Sequence, residues 1–269
     1  MPVISAAHGG DEAATPRQSE VSNRLLRALD PDDFARLAPH LRPVALPLGR
    51  PLIAPNEAIS ACVFPEAGFV SVATAHRGQR VEIGLVGREG LVGAAPVLLA
   101  DAVTPQAHVV QMAGSGLTIP IQALRASAEA SAILRGRLLA YIQTQMLQVG
   151  ETAYAHAALN LESRLARWLL MCLDRAEGEE LALTHEFLSI TLGVQRAGVT
   201  LALQSLEGAG LIRNRRKRVL ILDRGGLEAL THGSYGVSES AYARLLDPAH
   251  ASERGVAFSS AQSNSSSSR

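Results

Sequence analysis

The stretch "LGVQRAGVTLALQSLEGAGLIRNRRKR" (residues 192–218) begins with the apolar spacing of a helix and ends with five cations in six residues. The whole chain of 269 residues has only 25 Lys and Arg, so this concentration is unusual. A solvated charged surface normally mixes acids with bases, and residues 213–218 contain no acid. The pattern indicates an anionic partner for this part of the chain.

The residues around the start of this stretch predict two helices joined by a sharp turn. Thr184 is a suitable N-cap for the first helix. Gly193 lies where the two helices must turn, because glycine adopts a positive φ without strain. The second helix has a buried face formed by Val199, Ala202, Leu203 and Leu206, and a polar face formed by Gln195, Arg196, Thr200 and Gln204.

The segment "LIRNRRKRVLIL" (211–222) predicts a strand, a tight polar turn and a second strand, with residues 214–218 at the tip. In a winged helix, such a hairpin lies over the phosphate backbone while the second helix enters the major groove. A cationic hairpin tip alone is more often a solvated turn, and a helix pair joined by glycine is common. Their occurrence together predicts binding to double-stranded DNA.

The charge distribution restricts the predicted DNA binding to the helix pair and hairpin. Residues 184–224 contain seven Lys or Arg against three acids, whereas the net charge of the whole chain is zero.

The chain start has no apolar segment typical of a secretory signal, and no apolar run is long enough to span a membrane. Cys62 and Cys172 are too few for a disulfide framework, so we expect two reduced, buried thiols in a cytoplasmic protein.

Residues 40–121 have the pattern of a small β-barrel or jelly roll. Short apolar runs are interrupted by Gly and Pro, as in "GFVSVATA" (68–75), "QRVEIGLVG" (79–87), "AHVVQM" (107–112) and "GLTIPI" (116–121). Within the second run, apolar residues alternate with Glu82 and Gly84, which is typical of a half-buried strand. We therefore expect many short strands in this region.

The periodicity changes to that of a long helix at about residues 131–156. An apolar seam recurs at spacings of three and four and contains Leu139, Ile142, Met146, Val149 and Ala153. The alternative is a helix that packs only on its own barrel. Because a helix of this length is too long for a small barrel to cover, the seam favours the interface of a homodimer.

These patterns divide the chain into four parts. The two ends are small and polar and are expected to be disordered. The expected parts are a disordered tail at 1–19, a sensor barrel with its long helix at 20–158, a winged helix at 159–247 and a disordered Ser-rich tail at 248–269.

With these motifs in this order, residues 22–247 resemble the catabolite-activator/fumarate–nitrate-regulator (CRP/FNR) family of bacterial transcription regulators. The resemblance rests on residues 34–52, "CVFPEAGFVSV" (62–72), "VEIGLVGREGLVG" (81–93) and "LGVQRAGVTLALQSLEGAGLI" (192–212). It implies an α+β fold with a cyclic-nucleotide-binding-like β jelly roll, a long dimerisation helix and a C-terminal winged helix-turn-helix. It also implies a homodimer that reads a palindromic DNA site and responds to a signal at the barrel.

The resemblance also indicates candidate DNA-binding residues. Arg196 is suited to a guanine edge and Leu201 to a thymine methyl group. Well-known members of the family have a Glu and a second Arg where this chain has Ala197 and Leu201, so their target sequence does not transfer. The full set of candidates is Thr184, His185, Gln195, Arg196, Thr200, Leu201, Arg213, Arg215, Arg216, Lys217 and Arg218.

The sensor part departs from the cyclic-nucleotide pattern. The family holds the nucleotide phosphate with a Gly-Glu stretch and a later Arg, but no Arg lies between Arg88 and Arg125 here. Iron–sulfur members need four cysteines, and a lone His76 or His108 is usually structural rather than a haem ligand. We therefore expect no cyclic nucleotide, haem, iron–sulfur cluster or metal. The candidate effector residues are Gly87, Arg88, Glu89, Gly90 and Gly93.

Two other functions remain as alternatives. An enzyme is not expected, because the eight His are scattered and no nucleophile-elbow or phosphate-loop motif occurs. A ligand-binding module that regulates a protein partner is possible in principle, but such a winged helix does not need the wing cations. Activation of transcription would require a surface for RNA polymerase, which no sequence feature marks.

Overall fold

The computed structural model describes residues 15–77 and 79–246, so residues 1–14 of the first predicted tail and all of the second, 248–269, lie outside the described residues. The N-terminal part is a five-stranded antiparallel sheet in the order β1-β5-β3-β4, with β2 paired to β5. Its strands are β1 Arg42–Leu46, β2 Pro51–Ile53, β3 Ala61–His76, β4 Gln79–Val86 and β5 Ala107–Pro120. The accompanying helices are α1 Arg24–Arg27, α2 Pro31–Leu37 and α3 Ala94–Leu99.

Two strands of this sheet are longer than the predicted short runs. β3 and β5 pair along most of their lengths and continue through glycines at which we expected strands to end. A Cβ on Gly68 would collide with the carbonyl of Met112, and a Cβ on Gly114 would collide with the carbonyl of Ala67. The prediction of many short strands is therefore wrong here, because these glycines allow close approach and register shifts within continuous strands.

The sheet leads into two helices, α4 Ile121–Ala130 and α5 Ala132–Ala158. Ser131 caps α5 by accepting a hydrogen bond from the backbone N–H of Leu134 at 3.1 Å. One face of α5 packs into the barrel core through Leu134, Leu138 and Tyr141, all of which are buried. The opposite face remains exposed in the single chain.

The C-terminal part combines short helices with a three-stranded sheet in the order β6-β8-β7. Its elements are α6 Leu161–Leu173, β6 Glu180–Ala182, α7 His185–Leu192, α8 Arg196–Gly208, β7 Ile212–Arg215, β8 Arg218–Ile221, α9 Arg224–Leu230 and α10 Val237–Leu246. Leucines of α6, α7 and α8 form its buried core. Among the described residues, no helix is both long and apolar enough to cross a membrane.

Packing crosses the expected boundary at residues 158 and 159. Phe69 and Leu85 of the barrel belong to the core of the C-terminal part. Conversely, α10 packs along α5, and its Leu246 is buried in the barrel core, where Arg137 donates a hydrogen bond to its carbonyl at 2.6 Å. The two parts therefore share their apolar cores.

A buried polar contact also joins the two parts. Trp168 of α6 donates its indole N–H to the carboxyl group of Glu82 in β4. Burial raises the pKa of Glu82 from 4.5 to about 7, and its second carboxyl oxygen has no hydrogen-bond partner among the described residues. Ionisation of this group is therefore coupled to the packing of α6 on the barrel.

At the N-terminal end, the described fold begins before the expected boundary at residue 20. The side-chain amide of Gln18 donates to the carbonyl of Leu29 at 2.7 Å, which attaches this segment to the end of α1.

Candidate nucleic-acid interface

The helix–turn–helix geometry confirms the predicted cap and turn. The hydroxyl of Thr184 accepts a hydrogen bond from the N–H of Phe187 at 3.1 Å and so caps α7. Gly193 ends α7 with φ of 64° and ψ of 36°, in the left-handed region that favours glycine. Helix α8 then begins at Arg196.

Helix α8 presents one face to the core and the other to solvent. Val199, Ala202, Leu203 and Leu206 are buried, as predicted from their spacing. Gln195 and Arg196 are exposed at its N-terminal end, and 66% of Leu201 is exposed. In this position the leucine side chain is accessible to an apolar group such as a base methyl.

Two of the candidate DNA-binding residues contact each other across the two helices. The hydroxyl of Thr200 lies 3.2 Å from Nδ1 of His185 and also contacts the carbonyl of Arg196 at 3.1 Å. These contacts connect the start of α7 to the start of α8. In this arrangement Thr200 and His185 position the helices rather than present free polar groups.

The cationic segment forms a hairpin whose turn is Arg216 and Lys217. Strands β7 and β8 pair from Ile212 with Ile221 to Arg215 with Arg218. Lys217 has a positive φ of 61°, which closes the two-residue connection. The side chains of all five cations are exposed to solvent.

The fold pairs two of the candidate cations with acids that lie elsewhere in the sequence. Arg218 is 2.7 Å from Glu180 of β6, and Arg196 is 2.9 Å from Glu186 of α7. Arg218 is therefore paired with an acid from another strand, although residues 213–218 themselves contain none. Among the described residues, no acid pairs with the other four wing cations, which are Arg213, Arg215, Arg216 and Lys217.

The wing and the two helices together form an open cleft of about 570 Å³. The start of α7, the start of α8 and the hairpin tip all contribute to it. The lining residues are Thr184, His185, Glu186, Arg196, Asn214, Arg215, Arg216 and Lys217. Gln195, Thr200, Leu201, Arg213 and Arg218 lie on the same elements but outside the cleft. The arrangement places backbone N–H groups of a helix start beside guanidinium groups, which suits a phosphate backbone.

The predicted dimer seam is only partly available to a partner. Leu139, Met146, Val149 and Ala153 are exposed on α5, and 62% of the Met146 side chain faces solvent. Ile142 is instead buried in the barrel core, so the structure contradicts its place in the seam. The reason is geometric: Ile142 follows Leu138 by four residues, so it lies on the face of α5 that packs into the barrel.

The candidate effector residues do not form one site. Glu89 is held by the guanidinium of Arg175 at 2.8 Å and accepts the N–H of Gly87 at 3.1 Å. Gly90 lies against the Tyr141 ring, where a side chain would collide with the hydroxyl. Gly93 lies apart from them, at the start of α3 beside Cys62 and Ile53.

Gly93 lines a separate barrel cavity of about 300 Å³ between the sheet, α3 and α5. Its polar groups include Gln106, Gln145 and His108, and none of the described residues that line it is an arginine or lysine. Burial lowers the pKa of His108 to about 4, so this imidazole is neutral, and its Nδ1 has no partner among the described residues.

Comparison with known proteins agrees with this architecture. Residues 163–230 match the family model of the Crp-like helix-turn-helix domain, whereas no curated protein matches the chain significantly. The fold is similar to FixK2 from Bradyrhizobium japonicum, with a TM-score of 0.62, 15% identity, and coverage of 71% of this chain and 96% of that one.

Two further solved structures share the fold. A CRP/FNR-family transcriptional regulator from Thermus thermophilus has a TM-score of 0.58 and 20% identity over 72% of this chain and 100% of that one. The c-di-GMP-responsive global regulator CLP from Xanthomonas campestris has a TM-score of 0.57 and 18% identity over 71% of this chain and 99% of that one.

Residues 163–230 therefore form a Crp-like helix-turn-helix domain, which follows the β-barrel and the long helix α5 along the chain. Over 72% of the chain, the fold is similar to that of a solved CRP/FNR-family regulator, in line with the sequence resemblance.

Proposed function

We propose that the protein is a homodimer that binds a roughly palindromic site in double-stranded DNA. The N-terminal end of α8 would enter the major groove, and the hairpin of β7 and β8 would contact phosphates. The observation that carries this proposal is the open cleft between the wing and the two helices, which we name the cationic cleft. It combines the exposed start of α8 with unpaired cations at the hairpin tip.

The two groups of cations have different roles in this proposal. Arg215, Arg216 and Lys217 neutralise phosphates and contribute affinity without regard to sequence. Arg196 is positioned to contact a base edge once its ion pair with Glu186 opens. Both side chains of that pair are mostly exposed, so its opening costs little.

The exposed face of α5 is the proposed dimer interface. Leu139, Met146 and Ala153 are spaced seven residues apart and lie on one face. Gly136 and Gly150 have no atom within 4 Å of where a Cβ would lie, which leaves room for another helix. Two parallel copies of α5 would place two copies of α8 on the same side of a duplex.

We also propose that the sensor part does not bind a cyclic nucleotide. A nucleotide phosphate that is buried without a guanidinium loses its charge-assisted hydrogen bonds. The barrel cavity presents neutral polar groups such as His108, Gln106 and Gln145, which supports this expectation. The same neutral lining gives no support to an anionic ligand inside the barrel.

Selection of binding sites from random duplex DNA, with purified protein and no added ligand, tests the proposed function. A palindromic consensus is expected, and Arg196→Ala should change the preferred base at one position in each half-site. Arg36→Ala is the matched control, because Arg36 is exposed on α2, which lies in the sensor part. Failure to enrich any sequence with wild-type protein would contradict sequence-specific binding by the ligand-free form.

The salt dependence of the affinity distinguishes DNA binding from the alternative, in which the same surface binds a protein partner. Binding to DNA phosphates releases counterions, so the affinity falls steeply as salt rises. Docking of the same surface on a protein predicts a shallow response.

A further inference from the structure

A second cleft, of about 480 Å³, lies where the barrel, α5 and the C-terminal part meet. Arg88 and Glu89 form its barrel wall, and Tyr141 and Gln145 form its α5 wall. The wall from the C-terminal part consists of Leu173, Asp174, Arg175, Arg224, Tyr235, Ser238, Glu239 and Tyr242. We name it the interdomain cleft; it adjoins the barrel cavity, with which it shares Leu85, Gln145 and Gln148, and it has no lining residue in common with the cationic cleft.

Two of the four arginines around the interdomain cleft are fully engaged. Arg175 is buried and binds Glu89 at 2.8 Å, and it also donates to the carbonyl of Met171 at 2.7 Å. Arg224 is 2.9 Å from Asp174 and 2.8 Å from Glu228. Two of the acids that line the cleft, Glu89 and Asp174, are therefore already paired with these arginines.

The third acid is engaged as well. The carboxylate of Glu239 accepts hydrogen bonds from the N–H of Gly236 at 3.2 Å and the hydroxyl of Ser238 at 2.9 Å. It therefore caps the start of α10 and makes no direct ion pair with an arginine among the described residues.

The remaining two arginines, Arg24 and Arg88, have no acidic partner within residues 15–77 and 79–246. The N–H of Arg24 donates to the carbonyl of Arg88, so the two residues are held next to each other. The Nε of Arg88 is buried and makes no hydrogen bond to any described residue. Buried charged donors without acceptors are rare in folded proteins, so this one needs an explanation.

A second unused donor faces the same space from the C-terminal part. The hydroxyl of Tyr242 in α10 is buried without a hydrogen-bond partner among the described residues. Burial raises the pKa of Tyr242, and the nearby carboxylate of Glu89 raises it further, so the phenol stays protonated and remains a donor. Both donors lie in the walls of the cleft but below its accessible surface, so an anion reaches them only when the side chains that cover them shift.

We propose that the interdomain cleft binds a small organic anion with two negative charges, such as a phosphate monoester or a dicarboxylate. The two unpaired guanidinium groups would balance its charge, and Arg88 Nε and the Tyr242 hydroxyl would donate hydrogen bonds to its oxygens. The cleft volume lies within the range of small-molecule sites in proteins.

Such an anion would connect the sensor part to the DNA-binding part. Arg88 belongs to the barrel and Tyr242 to α10, so a ligand that contacts both stabilises the arrangement in which they face each other. This regulatory consequence rests on the proposed function, whereas binding of the anion does not.

Isothermal titration calorimetry on the full chain tests the proposal with glucose 6-phosphate, succinate and uncharged glucose as probes. We expect one site per chain for at least one of the anions and none for glucose. Arg88→Gln should weaken the binding on the order of tenfold or more, because it removes a charge-assisted hydrogen bond. Tyr242→Phe should weaken it several-fold, and Arg36→Gln should leave it unchanged.

Each outcome decides a separate point. Binding of glucose 6-phosphate alone assigns a phosphate ester, and binding of succinate alone assigns a dicarboxylate. No saturable binding of either anion, or equal binding by Arg88→Gln and wild type with matching circular dichroism spectra, overturns the proposal. DNA affinity is measured separately, so anion binding without DNA binding would refute the proposed function and leave the ligand site in place.

Discussion

Removal of charge from the hairpin tip should change the salt dependence of DNA binding in a calculable way. The perturbation is the double substitution Arg215→Ala and Arg216→Ala. Both side chains are exposed, and neither has an acidic partner among the described residues, so each is available to one phosphate. The backbone of the hairpin does not depend on these side chains, because β7 and β8 pair through their main chains.

The size of the effect follows from counterion release. Each phosphate that is neutralised contributes roughly 0.9 to the slope of the logarithm of affinity against the logarithm of salt concentration. Loss of two contacts per chain should therefore reduce the slope by roughly 1.8 per chain, or roughly 3.6 for a dimer. The reduction should be similar for all duplex sequences, because phosphates carry no sequence information.

The assay is fluorescence anisotropy with a labelled duplex at a series of salt concentrations. Arg218→Ala is the matched control, because Glu180 already neutralises Arg218 at 2.7 Å, and it should reduce the slope by less than either tip substitution alone. An unchanged slope in the double variant would refute the assignment of the wing to phosphates. A loss of discrimination between sequences would instead show that the tip reads bases.

Three further predictions concern stability and assembly. Gly193→Ala should lower the free energy of unfolding by about 1 kcal/mol because Gly193 has a φ of 64°, whereas Gly208→Ala, with open space around it, should not; thermal denaturation of both variants tests this. Met146→Glu should dissociate the dimer in analytical ultracentrifugation, and a dimeric variant would exclude the exposed face of α5; Leu48→Glu, which alters an equally exposed residue elsewhere, is the control. Because the pKa of Glu82 is raised from 4.5 to about 7, its ionisation disfavours the folded state, so the free energy of unfolding should fall as pH rises from 4.5 to 7. Urea denaturation at several pH values should show a flatter dependence for Glu82→Gln, and an equal slope would argue against this cause.

Local sequence patterns predicted the elements that form the proposed DNA-binding surface. The cap at Thr184, the left-handed turn at Gly193 and the buried face of α8 each depend on residues within a few positions of one another. The same holds for the turn at Arg216 and Lys217. Such features are set by short-range geometry, which spacing and residue type reveal.

Contacts between distant segments were not predictable in this way. Arg175 and Glu89 are 86 residues apart, and Arg218 and Glu180 are 38 apart. No spacing rule relates them, because their proximity depends on how whole elements pack. The interdomain cleft arises from such packing. The sequence therefore indicated Arg88 as an effector candidate together with its neighbours at 87–93, but it did not reveal which residues of the C-terminal part face it.

The continuity of β3 and β5 shows a different limit. Glycine is common both at the ends of strands and at bends inside them, so its presence alone does not distinguish the two. Gly68 and Gly114 are required because two backbones come close together there. Only the pairing of the strands reveals that requirement.

Leu246, at the end of α10, is buried in the core of the barrel, although every other member of that core lies between residues 21 and 142. A ribosome synthesises the N-terminal part first, so the barrel would emerge with a gap in its core and with Arg137 lacking the carbonyl that it binds. The gap is filled only after the helix-turn-helix part has been made. The barrel core is therefore completed last, and a chain arrested within the winged helix would leave an incomplete barrel core for cellular quality control to remove.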